Sequence, residues 1–223
     1  MIIIFPLLFM ITVTLFANPS AELSSIRIAC VGDSLTYGYA LPFRSYNSYP
    51  AQLGRRLSHP YEVMNFGING ACATWGDDFY LNNSYEEILN WDPQIIVIML
   101  GSNDTKKNNW ISSNAYILGL ENIIETIRTP GDSVILMTPP PCGLNAFGIH
   151  DTPIRTVLIP ALESYSDNAG YPLVDIYSEF GKGERIFLDN IHLNRHAYWR
   201  VAGLLMVYIE KEMEKMDLVS QVR

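Results

Sequence analysis

The chemistry-bearing residues of this chain gather where apolar runs stop. In "RIACVGDSLTYGY" (27–39) the run Ile28-Ala29-Cys30-Val31 gives way at once to Gly32, Asp33 and Ser34. A hydroxyl in that place is either a turn residue or a nucleophile held up by a strand. Serine attacks only when a base removes its proton, and the base needs a partner that fixes its tautomer. The chain has four histidines, His59, His150, His192 and His196. His192 follows Asp189 by three residues, a spacing at which a tight turn sets carboxylate against imidazole. Ser34, Asp189 and His192 therefore form a candidate triad in the chain order Ser, Asp, His. The competing reading makes Asp189 an early helix cap. His192 and His196 are also spaced like a helical metal pair. Leu193 stands where the zinc-protease pattern needs glutamate, so no metal site is assigned.

Acyl transfer further needs donors aimed at the developing oxyanion. Three candidates present themselves: the backbone N–H of Ser34, the backbone N–H of Gly70, where the missing Cβ allows close approach, and the side-chain amide of Asn103. Each has a structural alternative. Gly67 and Gly70 suit a turn, and Asn103-Asp104 suits a helix cap. The G-x-S-x-G elbow is not met, because Thr36 occupies its last position. No Gly-Lys-Ser/Thr of a phosphate loop occurs either.

These residues need a scaffold. Five runs rich in Val and Ile recur at 26–32, 61–67, 94–101, 133–140 and 172–177. Most lack polar alternation, which predicts strands buried on both faces. Between them lie helix-like stretches at 49–57, 114–128, 153–169 and 194–216, the third carrying Pro160, which predicts a kink. Alternating strands and helices predict a three-layer α/β/α domain around a five-stranded parallel sheet. Chemistry in such sheets sits at the carboxyl ends of the strands. Ser34, Gly70, Asn103 and the Asp189–His192 loop all fall on that one rim.

A chain of 223 residues, 48% hydrophobic, suits one domain with a single sizeable core. The net charge of -8, with no basic patch evident along the chain, speaks against a nucleic-acid partner. Residues 1–17 carry no charge and fall short of the roughly 20 needed for a comfortable membrane span. They read as the apolar core of a secretory signal, against an uncleaved anchor or a mis-called start codon, so residues 1–25 are set apart from a domain at 26–223. The expected setting is secreted or extracytoplasmic, periplasmic in a bacterium, with no other membrane contact. Cys30 reads as a core residue, and a bridge between Cys72 and Cys142 stays open. Asn82-Asn83-Ser84 is a glycosylation sequon, meaningful only in a eukaryotic secretory route.

Four blocks, "GDSL" (32–35), "NFGING" (65–70), "GSND" (101–104) and "DNIH" (189–192), resemble in order those of the SGNH (GDSL) hydrolases. The resemblance runs from residue 26 to about 215. It implies a flavodoxin-like fold, Ser34 as nucleophile, Asp189 and His192 as its partners, oxyanion donors at Ser34, Gly70 and Asn103, and no cofactor. The wording is most similar to esterases of the sialate O-acetylesterase and acetylxylan esterase kind, which implies a glycan ester substrate. The family often has glycine and a following proline in the last block, where this chain has Asn190 and Leu193. Asparagine tolerates left-handed backbone, so the turn is expected to survive. Trp75, Tyr80, Trp110 and Phe147 fall in rim loops and are candidates for sugar stacking or for local packing. Rival readings are a lysophospholipase, a thioesterase, a platelet-activating-factor acetylhydrolase-like enzyme, a non-catalytic carbohydrate-binding protein, and a flavin or nucleotide binder supported by fold analogy alone.

Overall fold

Five parallel strands run side by side in the order β2-β1-β3-β4-β5. They are β1 (Ile26–Gly32), β2 (Tyr61–Gly67), β3 (Ile95–Met99), β4 (Ser133–Met137) and β5 (Leu173–Val174). This computed structural model describes residues 25–83, 85–143, 147–181 and 185–221; the N-terminal apolar segment and Ser84 of the sequon lie outside them. Because every pairing is parallel, all five carboxyl ends open on one edge.

Alternate residues of each central strand serve opposite faces. Ile28 and Cys30 of β1 join Ile95, Val97 and Met99 of β3 in one core layer. That layer packs under α3 (Tyr49–Leu57) and α9 (Arg195–Gln221), which supply Leu53, Val201 and Leu205. Ala29, Val31, Ile96 and Ile98 face the other way. They meet Ile88 of α4 (Tyr85–Trp91), Leu120 and Ile124 of α5 (Ser113–Ile127) and Leu162 of α7 (Ile159–Ala169). The expected three layers are present. β3 is buried throughout, whereas β2, on the edge, leaves Glu62 and Met64 exposed.

Local chemistry sets the boundaries. Ser112 caps α5 by accepting from the Ala115 N–H at 3.1 Å. Asn194 caps α9 by accepting from the Ala197 N–H at 3.0 Å. The fifth strand is shorter than its sequence predicts. Asp175 leaves the sheet to cap α8 (Ile176–Glu179), accepting from the Ser178 N–H at 2.9 Å. The kink expected at Pro160 takes another form. The chain enters α6 (Asp151–Pro153) and passes through a π-helical stretch, Ile154–Leu158, before α7 begins. The wider turn accommodates a residue with no N–H to donate. All three cysteines are free thiols, so the open Cys72–Cys142 bridge is not made.

One helix position ties this packing to the rim. A Cβ added at Gly119 of α5 would lie 1.9 Å from the Ala73 carbonyl oxygen, in the loop that follows β2. Alanine ordinarily gains up to about 1 kcal/mol over glycine in a helix. Here Gly119→Ala should instead destabilise by about 1–3 kcal/mol through overpacking, read as a lower urea midpoint. A midpoint at or above wild type would show that α5 does not approach this loop so closely.

Candidate active site

Ser34 is the first residue of α1 (Ser34–Tyr37), and Asp33 is its cap, accepting from the Leu35 N–H at 2.8 Å. A helix start leaves its first N–H groups without intrahelical partners, so the same residue offers a hydroxyl and a backbone donor. His192 Nε2 lies 3.0 Å from Ser34 Oγ. Its Nδ1 lies 2.9 Å from Asp189 Oδ1 and 2.7 Å from Oδ2. With Nδ1–H donating to the carboxylate, Nε2 is left to accept the serine proton. The imidazole is buried, 5% exposed, between the rings of Tyr39 and Phe147, whose centroids lie 4.7 and 5.7 Å from its own.

Asp189 does two jobs with one carboxylate. Its Oδ1 also accepts from the backbone N–H of His192 at 2.9 Å and of Ile191 at 3.4 Å. Partial burial pushes its pKa up, but these hydrogen bonds and the facing imidazole outweigh that and hold it below the ordinary carboxylate value. The departures at Asn190 and Leu193 are absorbed. Asn190 adopts φ +72°, in the left-handed region expected of it, and its carbonyl accepts from the Gly143 N–H at 2.7 Å. Leu188 N–H donates to the His192 carbonyl, and Asn194 N–H to that of Ile186, each at 2.7 Å. Backbone bonds thus close the turn that a proline would otherwise stiffen.

Gly70 and Asn103 line the same cleft as Ser34 and His192, a space of about 160 Å³. Gly70 has φ +84°, which favours glycine, and nothing within 4 Å of the place a Cβ would take. Asn103 arrives already engaged. Its Nδ2 lies 3.1 Å from Asp33 Oδ2 and 3.2 Å from the Ala71 carbonyl. An oxyanion would therefore compete for one of these two hydrogens.

Behind the cleft lie two buried acids whose part the sequence reading missed. Burial pushes Asp33 up to about 7, with Asp104 adding to the rise and the Leu35 N–H, Lys106 and Asn103 opposing it. Asp104 accepts from the Thr74 and Ala73 N–H groups at 2.6 and 3.2 Å and so pins the loop bearing Gly70. Burial raises its pKa as well, against those hydrogen bonds. An acid wedged between Gly32 and Ser34 at a cap position was the available signal for Asp33. Nothing in the linear sequence pairs Asp104 with a loop thirty residues earlier. Lys106 and Tyr39, also lining the cleft, were missed.

The remaining candidates scatter. His59 and His150 are exposed, His59 just before β2 and His150 at the start of α6, and neither lines this cleft. His196 stacks in parallel on Trp199. Tyr80 is buried and donates its hydroxyl to the Phe66 carbonyl at 2.6 Å, which is packing and not stacking on a ligand. Trp110 is half-buried. Phe147 borders the cleft, and Trp75 lines a neighbouring one with Asp77 and Asp78.

Comparison with known proteins bears on the fold and the family. The chain is 28% identical over 214 residues to an acetylxylan esterase of Xylanibacter ruminicola; the match takes in 86% of this chain but only 45% of that protein. Among solved structures, an aryl esterase of M. smegmatis superposes with TM-score 0.72 at 19% identity, covering 84% of this chain and 99% of the other. A carbohydrate acetylesterase family member from Sinorhizobium meliloti gives 0.69 at 21%, covering 83% and 98%. At these identities the two structures establish the shared fold. The model of the GDSL-like lipase/acylhydrolase family matches residues 30–200. With most of its length inside that match, the chain belongs to the GDSL-like lipase/acylhydrolase family of ester hydrolases.

Proposed function

We propose that this chain is a serine esterase that removes short acyl groups, acetyl foremost, from carbohydrate hydroxyls. The observation that carries the reading is the hydrogen-bonded chain Ser34 Oγ, His192 Nε2, His192 Nδ1, Asp189 opening on a small cleft. His192 takes the Ser34 proton as the hydroxyl attacks the ester carbonyl. The oxyanion is met by the N–H groups of Ser34 and Gly70, which have no protein acceptor among the described residues. Asn103 joins by exchanging the Ala71 carbonyl for the stronger, charged acceptor. The alcohol leaves with the proton from His192. A water activated by the same imidazole then releases the acid and frees Ser34. The narrowness of the cleft supports an acetyl group over a long acyl chain. The acetylxylan esterase relative supports a sugar as the alcohol, and sialate O-acetyl esters belong to the same substrate class. Export, read from the uncharged apolar start, would bring the enzyme to such glycans.

A panel of acetylated xylo-oligosaccharide, O-acetyl sialate, aryl acetate and long-chain aryl esters tests the reading. Acetyl esters should turn over fastest, and Ser34→Ala should abolish both turnover and labelling by a fluorophosphonate probe. Preference for the long chains, or labelling that survives in Ser34→Ala, refutes it.

Removing one oxyanion donor usually costs about 100- to 1000-fold in turnover. Asn103→Ala should fall in that range while remaining folded by circular dichroism; full turnover would remove Asn103 from the oxyanion site. Asp189→Asn should lose up to about 10⁴-fold by disturbing the imidazole tautomer.

A pH dependence of stability follows from Asp33. Its folded value of about 7 lies above the unfolded value of about 3.9, so its contribution is full below about pH 4 and lost as pH rises through about 7. Asp33→Asn should flatten that decline in Tm; an unchanged slope would mean that Asp33 does not hold its proton in the fold.

A further inference from the structure

No basic run is visible along the chain, yet folding builds a basic face. Residues 34–61 contain no Asp or Glu, and neither do residues 190–209. These two acid-free stretches form α2 (Arg44–Asn47) with α3 and the first turns of α9, which pack against each other. Their junction holds a cleft of about 440 Å³ whose lining includes Arg55, Arg195 and Trp199. Arg56 lies over its Trp199 and Arg44 begins α2, and none of these four arginines has a carboxylate partner among the described residues. Arg200, further along α9, differs in being paired with Glu179.

The guanidinium groups are held in place by aromatic rings. The guanidinium carbon of Arg55 lies 3.6 Å from the Tyr46 ring centre, that of Arg56 4.2 Å from Trp199, and that of Arg44 3.8 Å from Tyr37. Such stacking leaves the planar edge of a guanidinium turned outward for contact with a carboxylate; Arg55 spends one N–H on the Ala51 carbonyl at 3.0 Å, which fixes its fork and leaves its other donors for that contact. Burial and the charge of Arg55 both hold Arg56 below its ordinary pKa, the mark of cations crowded without a counter-ion. The cleft is also lined by Asn47 and Gln52. Their amide nitrogens donate to Pro42, Asn47 and Arg195 carbonyls, which leaves the amide oxygens as acceptors for hydroxyls.

We propose that this cleft binds the acidic sugar units of a carboxylate-bearing polysaccharide whose neighbouring acetyl ester enters the Ser34 cleft. The proposal rests on the glycan-esterase reading and deepens it. Arg195 follows His192 by three residues, so their Cα atoms are at most about 11 Å apart. A polymer held here reaches the catalytic serine within a few sugar units. The chain as a whole, at net -8, repels a polyanion, so this acid-free face sets its orientation. A concave, amide-lined cleft suits a discrete sugar better than a flat lipid surface. Aromatic rings covered by guanidinium are likewise less free to enter acyl chains or to stack on bases.

Affinity electrophoresis of the full chain through gels containing polygalacturonate or neutral xylan tests this. Polygalacturonate should retard the wild type, neutral xylan should do so far less, and added salt should release it. The double variant Arg55→Gln, Arg195→Gln should bind polygalacturonate at least about tenfold more weakly, the loss of one or two charged hydrogen bonds. Its turnover of p-nitrophenyl acetate should match wild type, which shows that it is folded. Equal retardation by both polymers, or undiminished binding by the double variant, overturns the proposal. So does binding to phosphatidylglycerol vesicles without binding to polygalacturonate. The readout needs no turnover: a chain that binds the polymer but cleaves no ester sinks only the esterase reading, and one that cleaves esters but ignores the polymer sinks only this proposal.

Discussion

A single hydrogen bond, 3.0 Å from Ser34 Oγ to His192 Nε2, joins the first loop of the domain to the last across 158 residues. Neither side chain can find the other locally. The parallel sheet brings them together, because it delivers every strand's carboxyl end to one edge and β1 lies next to the middle of the order. The core therefore serves the site directly. Ile28, Cys30, Ile95 and Val97 fix the strand from which Ser34 emerges, and Leu193, Ala197 and Val201 fix the end of the loop that carries His192. Both groups belong to the same buried layer, so the distance between Ser34 and His192 is set by packing.

The loops themselves are held by buried acids, which is costly. Asp33 and Asp104 are 1% and 0% exposed, and desolvation opposes the charge of each. What offsets it is hydrogen bonding to backbone N–H groups that would otherwise be orphaned at helix starts and turns. The result is a rim whose conformation is specified by a few polar contacts laid over an apolar base. Functional sites commonly accept such local expense in exchange for fixed geometry.

Much of this could be read from the residues. Uninterrupted Val/Ile runs gave away the buried strands, and small polar residues at their ends located the rim. The juxtaposition of Ser34, Asp189 and His192 was legible because the Asp189–His192 pair is local and its turn is short. Where reading failed, the cause was tertiary. β5 stops after two residues because Asp175 prefers capping a helix to extending a strand. Tyr80 looks like a rim aromatic but turns inward to satisfy the Phe66 carbonyl. Asn103 looks like a free donor, yet its acceptors come from two other loops. The basic face was invisible because its arginines are thinly spread along two separate segments, and only the absence of acids between them hinted at it.

The two borders of the sheet differ in a way that bears on the protein's life in solution. An unpaired strand edge is a template on which another chain can add itself, and long flat apolar edges promote aggregation. At one border β5 offers only two residues, Leu173 and Val174, too short a rung to capture a foreign strand. At the other, β2 is seven residues long but sets Glu62 on its exposed face. A second molecule pairing there in parallel register would bring like charges together. The architecture that opens its rim at the carboxyl ends thus keeps one margin short and sets a charge on the other.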